Sequence, residues 1–233
     1  MLAKLLRKPL RLLPADTVVP ILQGRLRGCR WIVGSGRHAY WLGTYELVKR
    51  TLFERIVRPG DVVFDIGAHV GFYTLLAAKL VGLQGKVFAF EPLPENLMYL
   101  KQHLALNRIS NVEVIAAAVS DRPRTATFDR GQSRSEGRIS PQGELTVRVA
   151  CLDGMVADGE LPLPDCLKID VEGEEVCVLN GAQLVLQARP KIFLATHGTR
   201  VREQCLAILC MAGYTIEMIE DDPMHGWNEI FAY

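Results

Sequence analysis

The chain has 233 residues, of which 49% are hydrophobic and 23% charged, and 27 basic side chains against 26 acidic ones leave a formal net charge of +1. These values are ordinary for a folded globular protein, and they exclude a disordered, collagen-like or coiled-coil chain. The length is enough to bury a full core without cross-links, and the six cysteines include no C-x-x-C pair. We therefore expect reduced thiols and a cytoplasmic protein.

The excess of positive charge lies near the start of the chain, where residues 1–30 contain seven basic side chains and one acidic side chain. The rest of the chain is mildly acidic, which argues against nucleic acid as a partner. Residues 1–13 place leucines on one helical face and basic residues on the other, so a weak contact with an anionic membrane surface is one interpretation. We favour an arm that packs on its own domain or lies in solvent, because so short a helix is marginal by itself.

An N-terminal extension, residues 1–60, is predicted to pack on the main domain, residues 61–233. Residues 24–43 are rich in glycine, aromatic and β-forming residues and predict short strands joined by tight turns. Residues 44–57 carry apolar side chains at a helical period, with Thr44 as a candidate N-cap.

After the extension, short apolar runs alternate with helical stretches, which predicts βαβ units and a doubly wound, mostly parallel sheet. The predicted strands are residues 62–66, 86–91, 112–120, 166–170 and 191–196, and the predicted helices are residues 72–82, 94–107, 174–188 and 200–212. An exposed loop, residues 130–144, separates two further strands, residues 125–128 and 145–150. Residues 214–219 and 229–233 are predicted to close the sheet as an antiparallel pair.

A glycine-containing turn follows the first predicted strand of this sheet, where the run DIGAHVG contains Asp65, Gly67, Ala68, His69 and Gly71. Glycine in such a turn lets the backbone approach a ligand closely, and the helix that follows offers free N–H groups. The spacing lacks the middle and final glycines of the dinucleotide fingerprint, so it does not predict the usual pyrophosphate site.

Further acids fall at the carboxyl ends of predicted strands, where open α/β sheets bind their ligands. Glu91 ends the second strand, a position that suits hydrogen bonds to ribose hydroxyls, and capping of the next helix is the alternative. Asp170 and Glu172 follow a later strand, and several acids at one edge are costly unless they hold a ligand or a cation. We assign the site role to Asp170 and Glu172, and helix capping to Glu174 and Glu175.

The chain resembles the FkbM family of S-adenosylmethionine-dependent methyltransferases in three segments: VVFDIGAHVGFYT (62–74), FAFEPLPEN (88–96) and LKIDVEGEE (167–175). The lead-in WLGTYE (41–46) and the LD pair at 152–153 fit as well, so the resemblance covers residues 40–196. This chain has His69 where the family commonly has Asn.

The resemblance implies a class I methyltransferase fold, which is a Rossmann-like, seven-stranded, mostly parallel sheet with the last strand antiparallel. It also implies S-adenosylmethionine as the cofactor. Gly67 and Gly71, with Ala68 and His69 between them, would shape the loop around the methionine part of this cofactor. Asp65 would face the ammonium group.

The remaining cofactor contacts are implied in the same way. Glu91 would hold the ribose diol, and Ser120 or Asp121 would lie near the adenine. Asp170 and Glu172 would line the junction between cofactor and acceptor.

An aliphatic hydroxyl is a poor nucleophile until it loses its proton, so we expect a general base beside the transferred methyl group. His197, just past a predicted strand, is the first candidate, followed by Asp170 and Glu172, and His69 is a further candidate. Asp170, Glu172 and His197 would also suit a divalent metal ion. Because the two acids are spaced i, i+2 and no tight cluster fixes a coordination geometry, we expect no metal.

The function predicted from these residues is methyl transfer from S-adenosylmethionine to a hydroxyl of a small-molecule or carbohydrate-like acceptor. The alternatives are a nicotinamide-dependent oxidoreductase, an RNA methyltransferase and a binding module without activity. The incomplete glycine fingerprint argues against an oxidoreductase. An RNA methyltransferase is disfavoured because DVEG stands in place of the [DN]-P-P-[YF] tetrad of base-amine methyltransferases. Intact acids at every predicted strand end argue against a binding module without activity. The sequence predicts neither the acceptor nor the oligomeric state.

Overall fold

The computed structural model describes residues 13–131, 137–222 and 227–233, so residues 1–12 of the predicted arm and the centre of the 130–144 loop lie outside the described residues. Across this part of the chain, no helix combines the length and apolar character that a membrane span requires. The α-helices are α1 (Ala39–Leu42), α2 (Leu47–Ile56), α3 (Phe72–Val81), α4 (Pro94–Leu106), α5 (Leu152–Ala157), α6 (Glu175–Asn180), α7 (Gln183–Gln187) and α8 (Thr199–Met211).

The central sheet has seven strands within the described residues. In spatial order they are β12 (Ile216–Asp222), β13 (Trp227–Ala232), β11 (Lys191–His197), β10 (Cys166–Ile169), β3 (Val62–Ile66), β4 (Lys86–Phe90) and β5 (Val112–Ile115). The five strands from β11 to β5 are parallel, whereas β13 runs antiparallel to both β11 and β12. This arrangement confirms the predicted mostly parallel sheet with its last strand antiparallel.

Helices cover both faces of the central strands, as the continuous apolar runs predict. Val63 of β3 packs with Leu75 of α3 and Phe193 of β11 in one buried cluster. Its neighbour Phe64 packs with Val178 of α6 in a second buried cluster. Consecutive residues of a strand point to opposite faces, so the strand needs apolar side chains at both positions.

The N-terminal extension packs on the same side of the sheet as α3. Its two strands, β1 (Val18–Pro20) and β2 (Arg30–Ile32), form an antiparallel pair. Trp31 and Phe53 are fully buried in the cluster that contains Val63. The extension and the main domain therefore share one hydrophobic core.

His103 of α4 connects the extension to the turn after β3. Its ring stacks on Trp31 with centroids 3.7 Å apart. Its Nε2 accepts a hydrogen bond from the backbone N–H of Ile32 (3.1 Å), and its Nδ1 donates to the carbonyl of Val70 (2.8 Å). Burial lowers the pKa of His103 to about 4, so the ring is neutral at physiological pH.

Two predictions for the extension are wrong. Residues 24–43 contain one strand, β2, followed by a 3₁₀ turn and the helix α1, rather than several strands. Helix α2 begins at Leu47, and Thr44 does not cap it. Glu46 precedes the helix with a φ of 41° and makes no capping bond through its side chain, so the chain enters α2 through a tight left-handed turn.

Two longer predicted elements are each divided. The strand expected at residues 112–120 ends at Ile115, and the helix expected at residues 174–188 breaks at Gly181 into α6 and α7. A side chain on Gly181 would collide with the backbone carbonyl of Ser120, so only glycine fits at this position. The residues after β5 enter a second sheet, in the order β6 (Ala118–Val119), β9 (Leu145–Ala150), β7 (Arg124–Asp129) and β8 (Arg138–Ile139).

Candidate active site

A cavity of about 500 Å³ lies at the carboxyl ends of β3, β4, β10 and β11. The predicted site residues that line it are Gly67, Ala68, His69, Glu91, Asp170, Glu172 and His197. Asp65, Gly71, Ser120 and Asp121 are not among the lining residues. The cavity therefore brings together the turn after β3, the acid after β4, and an acid–histidine group after β10 and β11.

The turn after β3 depends on two glycines with positive φ. Gly67 (φ 77°) lies so close to the carbonyl oxygen of Asp170 that any side chain there would collide with it. The N–H groups of Gly67 and Ala68 both donate to the carbonyl of Phe90, at 3.0 and 2.9 Å. Gly71 (φ 91°) packs against α4 instead. Gly67 therefore forms cavity wall, whereas Gly71 allows close packing of the helix and does not reach the cavity.

Asp65 supports this turn through Lys168. Its carboxylate is 1% exposed, accepts a hydrogen bond from the Thr74 hydroxyl (2.6 Å) and lies 3.3 Å from the Lys168 ammonium. Lys168 also donates to the Gly67 carbonyl (2.8 Å) and lies 3.7 Å from Asp170. The two side chains meet because Asp65 and Lys168 are direct partners in the parallel register. This corrects the expectation that Asp65 faces the cofactor: its carboxylate is turned toward a buried lysine.

Glu91 is fixed at the cavity wall by three hydrogen-bond donors. The backbone N–H of His69 donates to Oε2 (2.8 Å), and the backbone N–H of Leu93 and the side-chain amide of Asn96 donate to Oε1 (3.0 and 3.1 Å). Burial raises the pKa of Glu91, and these bonds oppose the rise. Two of these donors belong to the start of α4, because Leu93 is its N-cap and Asn96 lies in its first turn. Glu91 therefore does cap this helix, and its contact with the ribose stays a prediction.

His197 lies among three carboxylates. Its Nε2 is 3.4 Å from Glu172 and 3.8 Å from Asp170, and its Nδ1 is 2.6 Å from Glu175. Glu175 is fully buried and also accepts a hydrogen bond from the N–H of Gly173 (3.1 Å). This corrects the assignment of Glu175 as a helix cap, because its carboxylate orients the imidazole of His197.

The charges in this group are set by its neighbours. Burial opposes a charge on His197, but the hydrogen bond to Glu175 and the carboxylates of Asp170 and Glu172 raise its pKa to about 9. Burial also opposes a charge on Asp170, yet the Lys168 ammonium lowers its pKa to about 2. At neutral pH the group therefore contains a protonated imidazole and an ionised Asp170.

Asp170 and Glu172 lie closer to His197 than their i, i+2 spacing in the sequence suggests. One ligand atom from each of Asp170, Glu172 and His197 lies within 4.8 Å of the others, so the expectation that these residues form no tight cluster is wrong. Glu172 has a left-handed backbone (φ 53°), which turns its side chain back toward His197. The donor set is one that divalent cations accept. In this structure Lys168 and the protonated imidazole supply the positive charge.

The end of the cavity beside β4 is apolar. The apolar side chains that line it are Ala117, Ala118, Val119, Phe128 and Ile139. Ser120 donates to Glu174 (2.9 Å), which lines the cavity, and Asp121 pairs with Arg124 (2.9 Å). Neither Ser120 nor Asp121 is itself a lining residue, and their expected place near the adenine stays a prediction. The capping role expected for Glu174 is wrong, because its side chain makes no capping hydrogen bond.

Residues from the extension and from β13 complete the cavity, and none of them is a predicted site residue, although Glu46 ends the WLGTYE lead-in. Arg37 and Glu46 line one side, and Glu229 lines the adjoining side. Lys49 joins the two sides: it is fully buried, and its Nζ lies 2.7 Å from Glu229 and 3.2 Å from Glu46. One feature of the sequence indicates that Lys49 is buried: it lies four residues before Phe53, so the two side chains share the buried face of α2.

A family model for the methyltransferase FkbM domain matches residues 65–223, which contain the turn, Glu91 and the acid–histidine group. The chain belongs to the FkbM methyltransferase family. The enzyme class is therefore methyltransferase, its methyl donor is S-adenosylmethionine, and the nicotinamide-dependent oxidoreductase alternative is wrong.

Several proteins of known structure or activity resemble the chain. It is 27% identical to the hexuronic acid methyltransferase AglP of Haloferax volcanii over 66% of this chain, a match that spans only 63% of that relative. It is 27% identical to the 31-O-demethyl-FK506 methyltransferase FkbM of Streptomyces tacrolimicus, over 75% of this chain and 80% of that one. Fibrillarin from Aeropyrum pernix, solved with natively bound S-adenosylmethionine, has a TM-score of 0.53 at 16% identity, over 80% of this chain and 74% of that chain. This structural likeness shows the fold alone.

Proposed function

We propose that the protein transfers the methyl group of S-adenosylmethionine to a hydroxyl of a small-molecule or carbohydrate-like acceptor. The observation that carries the proposal is one cavity with the fixed carboxylate of Glu91 at one end and the His197–Glu175 pair at the other. The names of two relatives, which specify a hexuronic acid and 31-O-demethyl-FK506, support an oxygen-bearing acceptor.

The residues present fit this methyl donor. The oxygens of Glu91 keep lone pairs for ribose hydroxyls after accepting their three bonds. The apolar wall beside β4 suits an adenine ring, and the turn at Gly67 lines the part of the cavity next to Glu91, where the methionine part would lie. The carboxylates of Asp170 and Glu172 suit the positive charge that the donor brings. The acceptor would then lie next to His197.

The His197–Glu175 pair provides the proton chemistry. When bound, S-adenosylmethionine supplies an activated methyl group, which passes to the acceptor oxygen as the carbon–sulfur bond breaks and leaves its electron pair on sulfur. His197 in its neutral form accepts the acceptor proton at Nε2, and Glu175 at Nδ1 fixes the ring and stabilises its charge. Asp170 is too weak a base at neutral pH, since its pKa is about 2. His197 is preferred over His69 because a buried carboxylate orients it.

Binding of the methyl donor is the first test. Titration calorimetry should show saturable binding of S-adenosylmethionine and S-adenosylhomocysteine, and Glu91→Ala should weaken it about 100-fold, because two hydrogen bonds to a charged group are lost. Glu95→Ala, at an exposed acid in the first turn of α4, should bind as the wild type does. Folded protein that binds neither compound would refute the proposal.

The acceptor class is the second test. Labelled methyl groups should pass from S-adenosylmethionine to hydroxylated small molecules or sugar derivatives, with mass spectrometry showing the methyl group on oxygen. Ribosomal and transfer RNA should be incubated in parallel. Methylation of RNA without methylation of any small molecule would replace this proposal with the RNA methyltransferase alternative.

A further inference from the structure

The methyl donor brings one negative charge that the carboxylates of the cavity cannot match. At neutral pH S-adenosylmethionine carries a sulfonium, an ammonium group and a carboxylate, since its methionine part is an α-amino acid. Asp170 and Glu172 suit the two positive charges, but the donor carboxylate would enter a cavity that is also lined by Glu46, Glu91 and Glu229. A carboxylate among these acids needs a cation or several hydrogen-bond donors.

The turn after β3 offers an anion few of its backbone donors. The N–H groups of Gly67 and Ala68 both donate to the carbonyl of Phe90, at 3.0 and 2.9 Å. The N–H of His69 donates to the carboxylate of Glu91 (2.8 Å). Because these three groups are already occupied, a carboxylate that lies beside the turn needs a cationic side chain.

Lys168 and the protonated imidazole of His197 are cations in the cavity wall, but both are already paired. Lys168 is 4% exposed and lies 3.3 Å from Asp65, and His197 lies among three carboxylates. Arg37 also lines the cavity, and its side chain is exposed. Within the described ranges, no carboxylate lies at ion-pair distance from Arg37. Its guanidinium can therefore pair with a ligand.

Gly36 brings Arg37 close to the turn after β3. A Cβ on Gly36 would lie 2.8 Å from the ring of Tyr40 and 3.9 Å from Cε1 of His69, so a glycine is needed for this close approach. The Tyr40 hydroxyl lies 3.4 Å from Nδ1 of His69. Burial raises the pKa of Tyr40 to about 12, and the Arg37 guanidinium opposes this rise, so its charge lies near that hydroxyl. Arg37 therefore enters the cavity beside His69.

We propose that Arg37 binds the carboxylate of the methionine part of S-adenosylmethionine. A guanidinium suits this group, because its parallel N–H donors match the two oxygens of a carboxylate. The N-terminal extension then contributes a binding residue to the methyl-donor site, and Arg37 takes no part in proton transfer. The inference rests on the proposed function, since it requires the methyl donor to lie in this cavity.

The first experiment removes the carboxylate from the ligand. Titration calorimetry compares the affinity of the wild-type protein for S-adenosylhomocysteine and for decarboxylated S-adenosylhomocysteine, which keeps the adenosine, the sulfur and the amino group. We expect the decarboxylated ligand to bind about 10- to 100-fold more weakly, the usual effect of losing hydrogen bonds between charged groups. Equal affinities would overturn the inference alone. Folded protein that binds no S-adenosylhomocysteine would refute the proposed function and the inference with it.

The second experiment repeats both titrations with variants of Arg37. Arg37→Gln should bind S-adenosylhomocysteine about 10- to 100-fold more weakly than the wild type does, but it should bind the decarboxylated ligand at least as tightly. Arg37→Lys should recover part of the affinity for S-adenosylhomocysteine, because it keeps the charge without the paired donors. Arg55→Gln, at an exposed arginine of α2 that does not line the cavity, is the matched control and should bind both ligands as the wild type does. Unchanged affinities in Arg37→Gln, or an equal loss for both ligands, would overturn the inference.

Discussion

The end of the cavity at Glu91 comes from consecutive βα units, whereas the end at His197 is assembled from segments far apart in the chain. At the first end, the turn after β3 and the acid after β4 are joined by short-range bonds such as that from His69 to Glu91. At the second end, Glu46 and Lys49 from the extension meet Glu229 from β13. We propose that the methyl donor binds at the Glu91 end and the acceptor at the His197 end, and we call them the donor end and the acceptor end. The difference teaches that the donor end is specified locally, while the acceptor end depends on tertiary packing.

Replacement of the turn glycine should have the largest effect. A Cβ at Gly67 would collide with the backbone of Asp170, which cannot move without disturbing the sheet, and the positive φ adds strain. We expect Gly67→Ala to lose measurable binding of S-adenosylhomocysteine in calorimetry. Gly154→Ala, at a position where a Cβ meets nothing, is the control. Wild-type affinity in Gly67→Ala would show that the donor end is not built on this turn.

His197→Gln removes the imidazole and should lower the kcat of methyl transfer by about 10²- to 10⁴-fold, which is the usual contribution of a general base. In the wild type, log(kcat/KM) should rise with pH up to about pH 9, because the pKa of His197 is raised to about 9 and only its neutral form accepts a proton. His197→Gln should show no such rise, and His38→Gln should keep it. A wild-type profile that is flat between pH 6 and 9 would exclude His197 as the base.

Removal of the buried lysine should destabilise the fold next most strongly. Lys49→Met leaves Glu229 and Glu46 without their cation, so we expect the free energy of unfolding to fall by about 3–5 kcal/mol. The double variant with Glu229→Gln should recover part of the loss in urea denaturation. Lys101→Met, on the exposed side of α4, should have little effect. If Lys49→Met lowered the free energy of unfolding as little as Lys101→Met does, the contacts of Lys49 with Glu229 and Glu46 would not be needed to stabilise the acceptor end.

Chelation should have the smallest effect. Since Lys168 lies beside Asp170 and the protonated imidazole lies beside Glu172, EDTA should leave methyl transfer at neutral pH unchanged. Loss of activity with EDTA, restored by Mn²⁺ or Mg²⁺, would instead assign a metal ion to Asp170, Glu172 and His197.

The sequence predicts which residues meet at the donor end, because its signals are local. A buried strand, a glycine turn and a strand-end acid follow one another within 30 residues, and the register of parallel strands places their ends at one edge. The sequence does not predict that Asp65 faces Lys168, because the direction in which a strand-end side chain turns depends on its partners in the neighbouring strand.

The acceptor end is predicted only in part. His197 and Asp170 follow from strand ends, but Glu175 resembles an ordinary acid in the first turn of a helix, and its burial against His197 is a tertiary effect. Glu229 lies in an apolar run with no motif, and its partner Lys49 is 180 positions away. No local pattern specifies that pairing.

The Lys49–Glu229 bond also orders events during translation. Lys49 is made 180 residues before Glu229, and until then Glu46 is the one of its two carboxylate partners that is present. The turn at Gly67 and the acid at Glu91 are separated by far fewer residues. The part of the cavity that contains Glu229 is therefore the last to be completed during translation.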